Sequence, residues 1–180
     1  MKRNDYLYLD HAATTPMRES ALEAFKNAEE FAYANSSGGH ELSRRAKNLL
    51  EESRDFIASY FGAAPSEITF TSGGTEADNW VIKAPFINSK NSQNLVTSKI
   101  EHEAVLASAE WLETQGQGVN YASCNTDGQV DVNEFLDKCN NDTAIASLMY
   151  ANNETGVVQQ IEKIAKEVKT KNPETLFHSD

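Results

Sequence analysis

Residues 67–180 predict an α/β domain: a largely parallel sheet flanked by helices. Three observations carry that expectation. Short apolar, β-prone runs alternate with longer stretches whose apolar residues recur at helical spacing. No internal repeat and no low-complexity linker interrupts the alternation. Candidate polar residues also fall just after the strand-like runs, where open α/β sheets receive ligands.

The elements follow in order. Residues 17–32 place Met17, Ala21, Ala24, Phe25, Ala28 and Phe31 on one face, and 42–61 repeat the pattern with Leu42, Ala46, Leu49, Leu50, Phe56, Ile57, Tyr60 and Phe61. Both read as leading helices, set beside the sheet or against a partner. "EITFTS" (67–72) reads as the first strand. The glycines Gly73 and Gly74 then open a helix over 75–84, with Glu76 and Asp78 in its first turn, where the helix dipole favours acids. "NLVTS" (94–98) is the second strand, and Ser98 with Glu101 forms a capping box before a helix over 102–115. "VNYAS" (119–123), "AIASLMY" (144–150) and "TLFHSD" (175–180) complete five strands, separated by helices over 131–139 and 160–170. The organisation expected is a leading segment, 1–66, and an α/β domain, 67–180.

Composition narrows the class. The 180 residues suffice for one domain with a sizeable core, and 39% hydrophobic against 24% charged content fits a soluble globular protein. A net charge of −11 disfavours non-specific binding to nucleic acid or to an anionic membrane. The start "MKRNDYLYLD" has no apolar leader core, and no run is long enough to cross a bilayer. A cytoplasmic, reducing setting is therefore expected. Cys124 and Cys139, the two cysteines, form neither a disulfide framework nor a zinc-type spacing, and no metal site is expected.

The chemistry concentrates at one predicted rim. In "ITFTSGGTEADNW" (68–80), a bare backbone turn joins strand to helix, and a helix N-terminus with free N–H groups suits a phosphate. Gly74 and Thr75 follow the first strand, His102 the second, Asn152 and Asn153 the fourth, and Asp180 ends the fifth. Each has a bland alternative: a surface histidine, an ordinary "NNETG" turn with Gly156 at positive φ, a chain-end acid. Their convergence on one edge favours a functional site.

Five blocks carry a family resemblance: "YLDHAATTP" (8–16), "ITFTSGGTEADN" (68–79), "TSKIEHEAVL" (97–106), "YANNETGVVQQI" (150–161) and "FHSD" (177–180). In their order and spacing the chain resembles the N-terminal part of pyridoxal-phosphate-dependent cysteine desulfurases, within the class V aminotransferase group. The resemblance implies the N-terminal portion of the large domain of fold type I enzymes, with the C-terminal small domain absent. It implies pyridoxal 5'-phosphate as cofactor, held by Gly74 and Thr75 at the phosphate, His102 stacked on the ring, Asn153 at the phenolic oxygen and Asp180 at the pyridine nitrogen. His102 is also implied to move protons. The family's Asn-Pro-Ser-Ser-x-His stretch is here "NSSGGH", so Asn35 and His40 are not taken as site residues, and that loop is expected to be more flexible.

The resemblance further implies L-cysteine as substrate, with alanine and an enzyme persulfide as products. The sulfur would pass to an acceptor protein for iron–sulfur cluster or thio-cofactor assembly. A homodimer, or a separate C-terminal half, is the expected partner. The family's Ser-x-His-Lys block and loop cysteine have no match in these residues, so Cys124 and Cys139 read as structural and the chain is expected to be inactive alone. Two alternatives stay open: a non-catalytic interaction module, and a selenocysteine lyase or other class V relative.

Overall fold

The computed structural model describes residues 7–87 and 93–180. The chain divides into two compact units, Met1–Phe70 and Thr71–Asp180.

The first unit holds helices α1 (Glu19–Phe31) and α2 (Glu41–Phe61) and a short 3-10 turn, Pro65–Glu67. His40 caps α2, its Nδ1 accepting the Ser43 N–H at 3.3 Å. Gly62 ends the helix at φ 67°, a left-handed conformation that glycine adopts without a Cβ penalty. The amphipathic pattern is real, but α1 buries none of its side chains and α2 only Ser43 and Ala58. Phe25, Phe31, Phe56, Tyr60 and Phe61 stand exposed.

The expected strand over 67–72 is not formed. Glu67 belongs to the 3-10 turn, where its carboxylate accepts the Ala64 N–H at 2.7 Å. Ile68–Phe70 find no strand partner among the described residues, and a β-prone run without a ladder stays irregular.

Among the described residues the second unit carries four parallel strands: β1 (Asn94–Ser98), β2 (Gly118–Ala122), β3 (Thr143–Ser147) and β4 (Leu176–His178), in the order β2-β1-β3-β4. The central strands β1 and β3 are buried at every residue. That is what a parallel sheet covered on both faces requires, and it fits strands that carry apolar and small residues with buried Asn94, Thr97 and Thr143 and no charged residue. Alternation along β1 divides the core in two. Leu95 joins Ile145, Val105, Ala109 and Leu112 with Ile82 and Phe86, under helices α3 (Gly74–Lys83) and α4 (Glu103–Thr114). Val96 joins Ala146, Phe135, Ile164 and Val168, under α5 (Val132–Lys138) and α6 (Ile161–Lys171). Asp131 starts α5 by accepting the Asn133 and Glu134 N–H groups at 2.9 and 3.0 Å.

The strand order reverses between β1 and β3. From β1 the chain crosses outward to β2, then returns to place β3 on the other side of β1. Such a reversal leaves a crevice outside the carboxyl ends of the two strands.

Candidate active site

Each side of that crevice is built by a segment leaving a strand. After β1, Glu101 is buried: one of its oxygens accepts the Ser98 hydroxyl at 2.7 Å, and both accept the Met149 N–H at 3.1 Å. The expected capping box therefore does not form. Glu101 faces inward to join the ends of β1 and β3, and His102 caps α4 instead, its Nδ1 accepting the Ala104 N–H at 3.1 Å. An Nδ1 that accepts leaves the ring hydrogen on Nε2.

After β3, Asn152 organises the "NNETG" turn. Its amide donates to the Ile100 carbonyl at 2.9 Å, and its Oδ1 accepts the Glu154 and Thr155 N–H groups at 3.0 and 2.8 Å. Gly156 closes the turn at φ 74°. With Asn152 committed to the backbone, Asn153 is left exposed, and it lines a cavity of about 440 Å³ with His102, Glu101 and Lys99.

β4 delivers the third side. His178 O accepts the Leu148 N–H at 3.1 Å and Asp180 O accepts the Tyr150 N–H at 3.4 Å, so the extended path of β4 continues to the end of the chain. Ligating atoms of Asp180, His102 and Asp78 all lie within 4.8 Å of one another. Asp78 reaches this cluster from α3, one helical turn beyond Gly74. That helix opens on two glycines. A Cβ added at Gly73 or Gly74 would meet nothing within 4 Å, so the turn faces open space. Glu76 Oε2 accepts from both the N–H and the hydroxyl of Ser72 at 2.6 Å, which fixes the turn and holds the Glu76 carboxyl below its ordinary range.

The structure thus brings Asp180 and His102 together, puts Asn153 on the cavity that His102 lines, and sets Gly74 and Thr75 at the head of the helix that carries Asp78. Sequence reasoning missed two members. Asp78 read only as an acid favoured by the helix dipole, yet it is 3% exposed and joins the cluster. His178 read as a strand residue, yet its Nε2 lies 3.4 Å from Asp78 Oδ1 and its Nδ1 lies 2.9 Å from the Ser147 hydroxyl. The available signal was spacing, since Asp78 follows Gly74 by one turn and His178 shares a strand face with Asp180.

The edge is electronegative. Burial, then the charge of Asp180, pushes the Asp78 carboxyl up to about 6, against the pull of His102. Burial pushes Glu101 up to about 7, although the Ser98 hydroxyl and Met149 N–H favour its ionised form. Burial holds the His178 imidazole below its ordinary value, partly offset by Asp180. A site of this kind favours a cationic group over the carboxylates and an anionic group at the head of α3.

The cysteines lie apart. Cys139 is buried, donates to the Phe135 carbonyl at 3.4 Å, and has its thiol pushed up to about 11 by burial. Cys124 is exposed, in a bridge with Val130. Among the described residues no helix is long and apolar enough to cross a membrane.

A parallel α/β sheet with polar groups gathered at the carboxyl-end reversal defines a ligand-binding fold of the doubly wound type. The aminotransferase class-V family model matches residues 7–180, and the chain belongs to that family. Among curated relatives, cysteine desulfurase IscS of Methanosarcina thermophila is 39% identical over 178 residues, covering 98% of this chain and 44% of the relative. Cysteine desulfurase IscS of Dictyoglomus turgidum is 40% identical, covering 100% of this chain and 45% of the relative. Among solved structures, a NifS-like protein superposes with a TM-score of 0.89 at 35% identity, over 95% of this chain and 47% of that one. SspA in complex with cysteine gives a TM-score of 0.89 at 34% identity, over 96% and 50%. The chain spans less than half the length of the curated relatives described.

Proposed function

We propose that this chain contributes the cofactor-binding part of a cysteine desulfurase, with pyridoxal 5'-phosphate seated at the reversal between β1 and β3. The observation that carries the reading is the approach of Asp180 and His102 ligating atoms to within 4.8 Å, from the ends of two different strands. The residues fit the group at both ends. The glycine turn at the head of α3 faces open space, which leaves its N–H groups accessible to a phosphate, and the acid-rich edge suits a protonated ring nitrogen.

When bound, pyridoxal phosphate supplies an electron sink for a carbanion at the substrate's α-carbon. The chain's residues hold and tune it. The N–H groups of Gly74 and Thr75, with the Thr75 hydroxyl, take the phosphate. The Asp180 carboxylate keeps a proton on the ring nitrogen, which deepens the sink. His102, held by the Ala104 N–H, presents its ring to the cofactor face and an Nε2–H able to hand on a proton. Asn153 donates to the phenolic oxygen. L-Cysteine is the proposed substrate, with alanine and a persulfide as products and a sulfur-acceptor protein and a second subunit as partners. The lysine and the thiolate that sulfur removal also needs are assigned to no residue of this chain.

Titration with pyridoxal phosphate, followed by absorbance and fluorescence, tests the reading. We expect saturable, non-covalent binding of one equivalent that weakens by about tenfold or more in Asp180→Asn, the loss of a charge-assisted hydrogen bond. Binding that is indifferent to Asp180, or a borohydride-trapped adduct on Lys99, would contradict it.

A further inference from the structure

The two ends of the proposed cofactor site sit on different layers. The phosphate turn opens α3, and Asp180 extends β4. The apolar anchor of α3 is Ile82, in the cluster with Leu95 and Ile145 and about two turns from the glycines. Nearer the turn, the polar link from α3 to the sheet among the described residues is a chain of side chains. The Ser147 hydroxyl on β3 lies 2.9 Å from His178 Nδ1, and His178 Nε2 on β4 lies 3.4 Å from Asp78 Oδ1 on α3. Ser147 is fully buried and Asp78 is 3% exposed. With His178 neutral and Asp78 ionised, the hydrogen assignment that suits both contacts has the serine donating to Nδ1 and the ring hydrogen on Nε2, facing the carboxylate.

We propose that Ser147, His178 and Asp78 form a strut that sets the distance between the phosphate turn and Asp180, which makes Asp78 and His178 positioning residues for the cofactor. This inference rests on the cofactor reading above. A group that bears a phosphate at one end and a ring nitrogen at the other gains from both contacts only when their separation matches its length. A mobile α3 would leave each contact intact and lose the gain from making both.

That difference supplies the test. Nuclear magnetic resonance titrations of the chain use three probes: inorganic phosphate, pyridoxine, and pyridoxine 5'-phosphate, which lacks the aldehyde and cannot bond to a lysine. In Asp78→Ala we expect affinity for pyridoxine 5'-phosphate to fall by about tenfold while that for either half changes by less than about twofold. Asp78→Asn, which keeps an acceptor for Nε2–H, recovers most of the loss. In the unmodified chain, long-range proton–nitrogen spectra should show His178 as the Nε2–H tautomer, a readout independent of any variant's folding. Equal weakening for phosphate alone and for the phosphate ester would make Asp78 a local support of the turn and overturn the strut. Unchanged affinity for the ester in Asp78→Ala, or an Nδ1–H tautomer at His178, overturns it too. Failure of the unmodified chain to bind pyridoxine 5'-phosphate overturns the cofactor reading itself, and the strut with it.

Discussion

His102 performs a backbone task and a proposed chemical one with different atoms of one ring. Nδ1 accepts the Ala104 N–H at 3.1 Å and so starts α4, while the rest of the imidazole faces the cavity that Asn153 also lines. The two tasks are separable by substitution. His102→Asn keeps a good N-cap, so its thermal midpoint should stay near that of the unmodified chain while pyridoxal phosphate binding weakens. His102→Ala loses both, with a stability cost of about 1 kcal/mol. Thermal denaturation read beside a binding titration checks the pair; equal binding in both variants and the parent would remove His102 from the site. At this scale the sequence was legible where a residue follows a strand and is polar, as His102, Asn153 and Asp180 do. It was not legible for Asp78, because an acid in a helix's first turn has a sufficient explanation in the dipole. Only the partner delivered by β4, more than 90 residues away, marks it as buried.

Elements met their expectations where periodicity and burial agree. "NLVTS" is β1 over Asn94–Ser98, because both faces of a central parallel strand are covered and every residue of the run, its polar ones included, is buried. "EITFTS" has the same local propensity but no neighbouring strand among the described residues, and a ladder is a tertiary property that propensity alone does not supply. "AIASLMY" and "TLFHSD" are assigned as strands only to Ser147 and His178, although the two segments stay hydrogen-bonded beyond them, Leu148 N–H to His178 O and Tyr150 N–H to Asp180 O. The junction of β1 and β3 there is Glu101. Its carboxyl is raised from 4.5 to about 7, so the folded chain binds more protons than the unfolded chain across that window, and stability declines as pH rises through it. Asp78 acts in the same direction between 3.8 and about 6, and His178 in the opposite direction below 6.5. Above 6.5 the decline still in progress belongs to Glu101. We expect the unfolding midpoint to fall as pH rises through about 7 and Glu101→Gln to flatten that fall. A variant whose profile runs parallel to the parent's would show that Glu101 is not the titrating group.

At the scale of the whole molecule, the strand-reversal rule joins fold to function. It places the crevice between β1 and β3 before any ligand is considered, and the side chains found there are a capped imidazole, two carboxylates and an exposed amide. Their positions follow from sheet order, which alternation in a sequence does not disclose; the rim was legible only as a list of residues that follow strands. The leading helices show the converse. Their amphipathic pattern was plain in the sequence, yet α1 buries nothing, so pattern identified the helices without identifying what their apolar faces meet. The central claim is that this rim seats pyridoxal phosphate in one orientation. A crystal structure of the chain grown with pyridoxal 5'-phosphate tests it most directly. The account predicts the phosphate on the N–H groups of Gly74 and Thr75, the ring against His102, and the ring nitrogen about 3 Å from an Asp180 oxygen. Phosphate density at any other place, or a ring nitrogen turned away from Asp180 while the cofactor is fully bound, would contradict it.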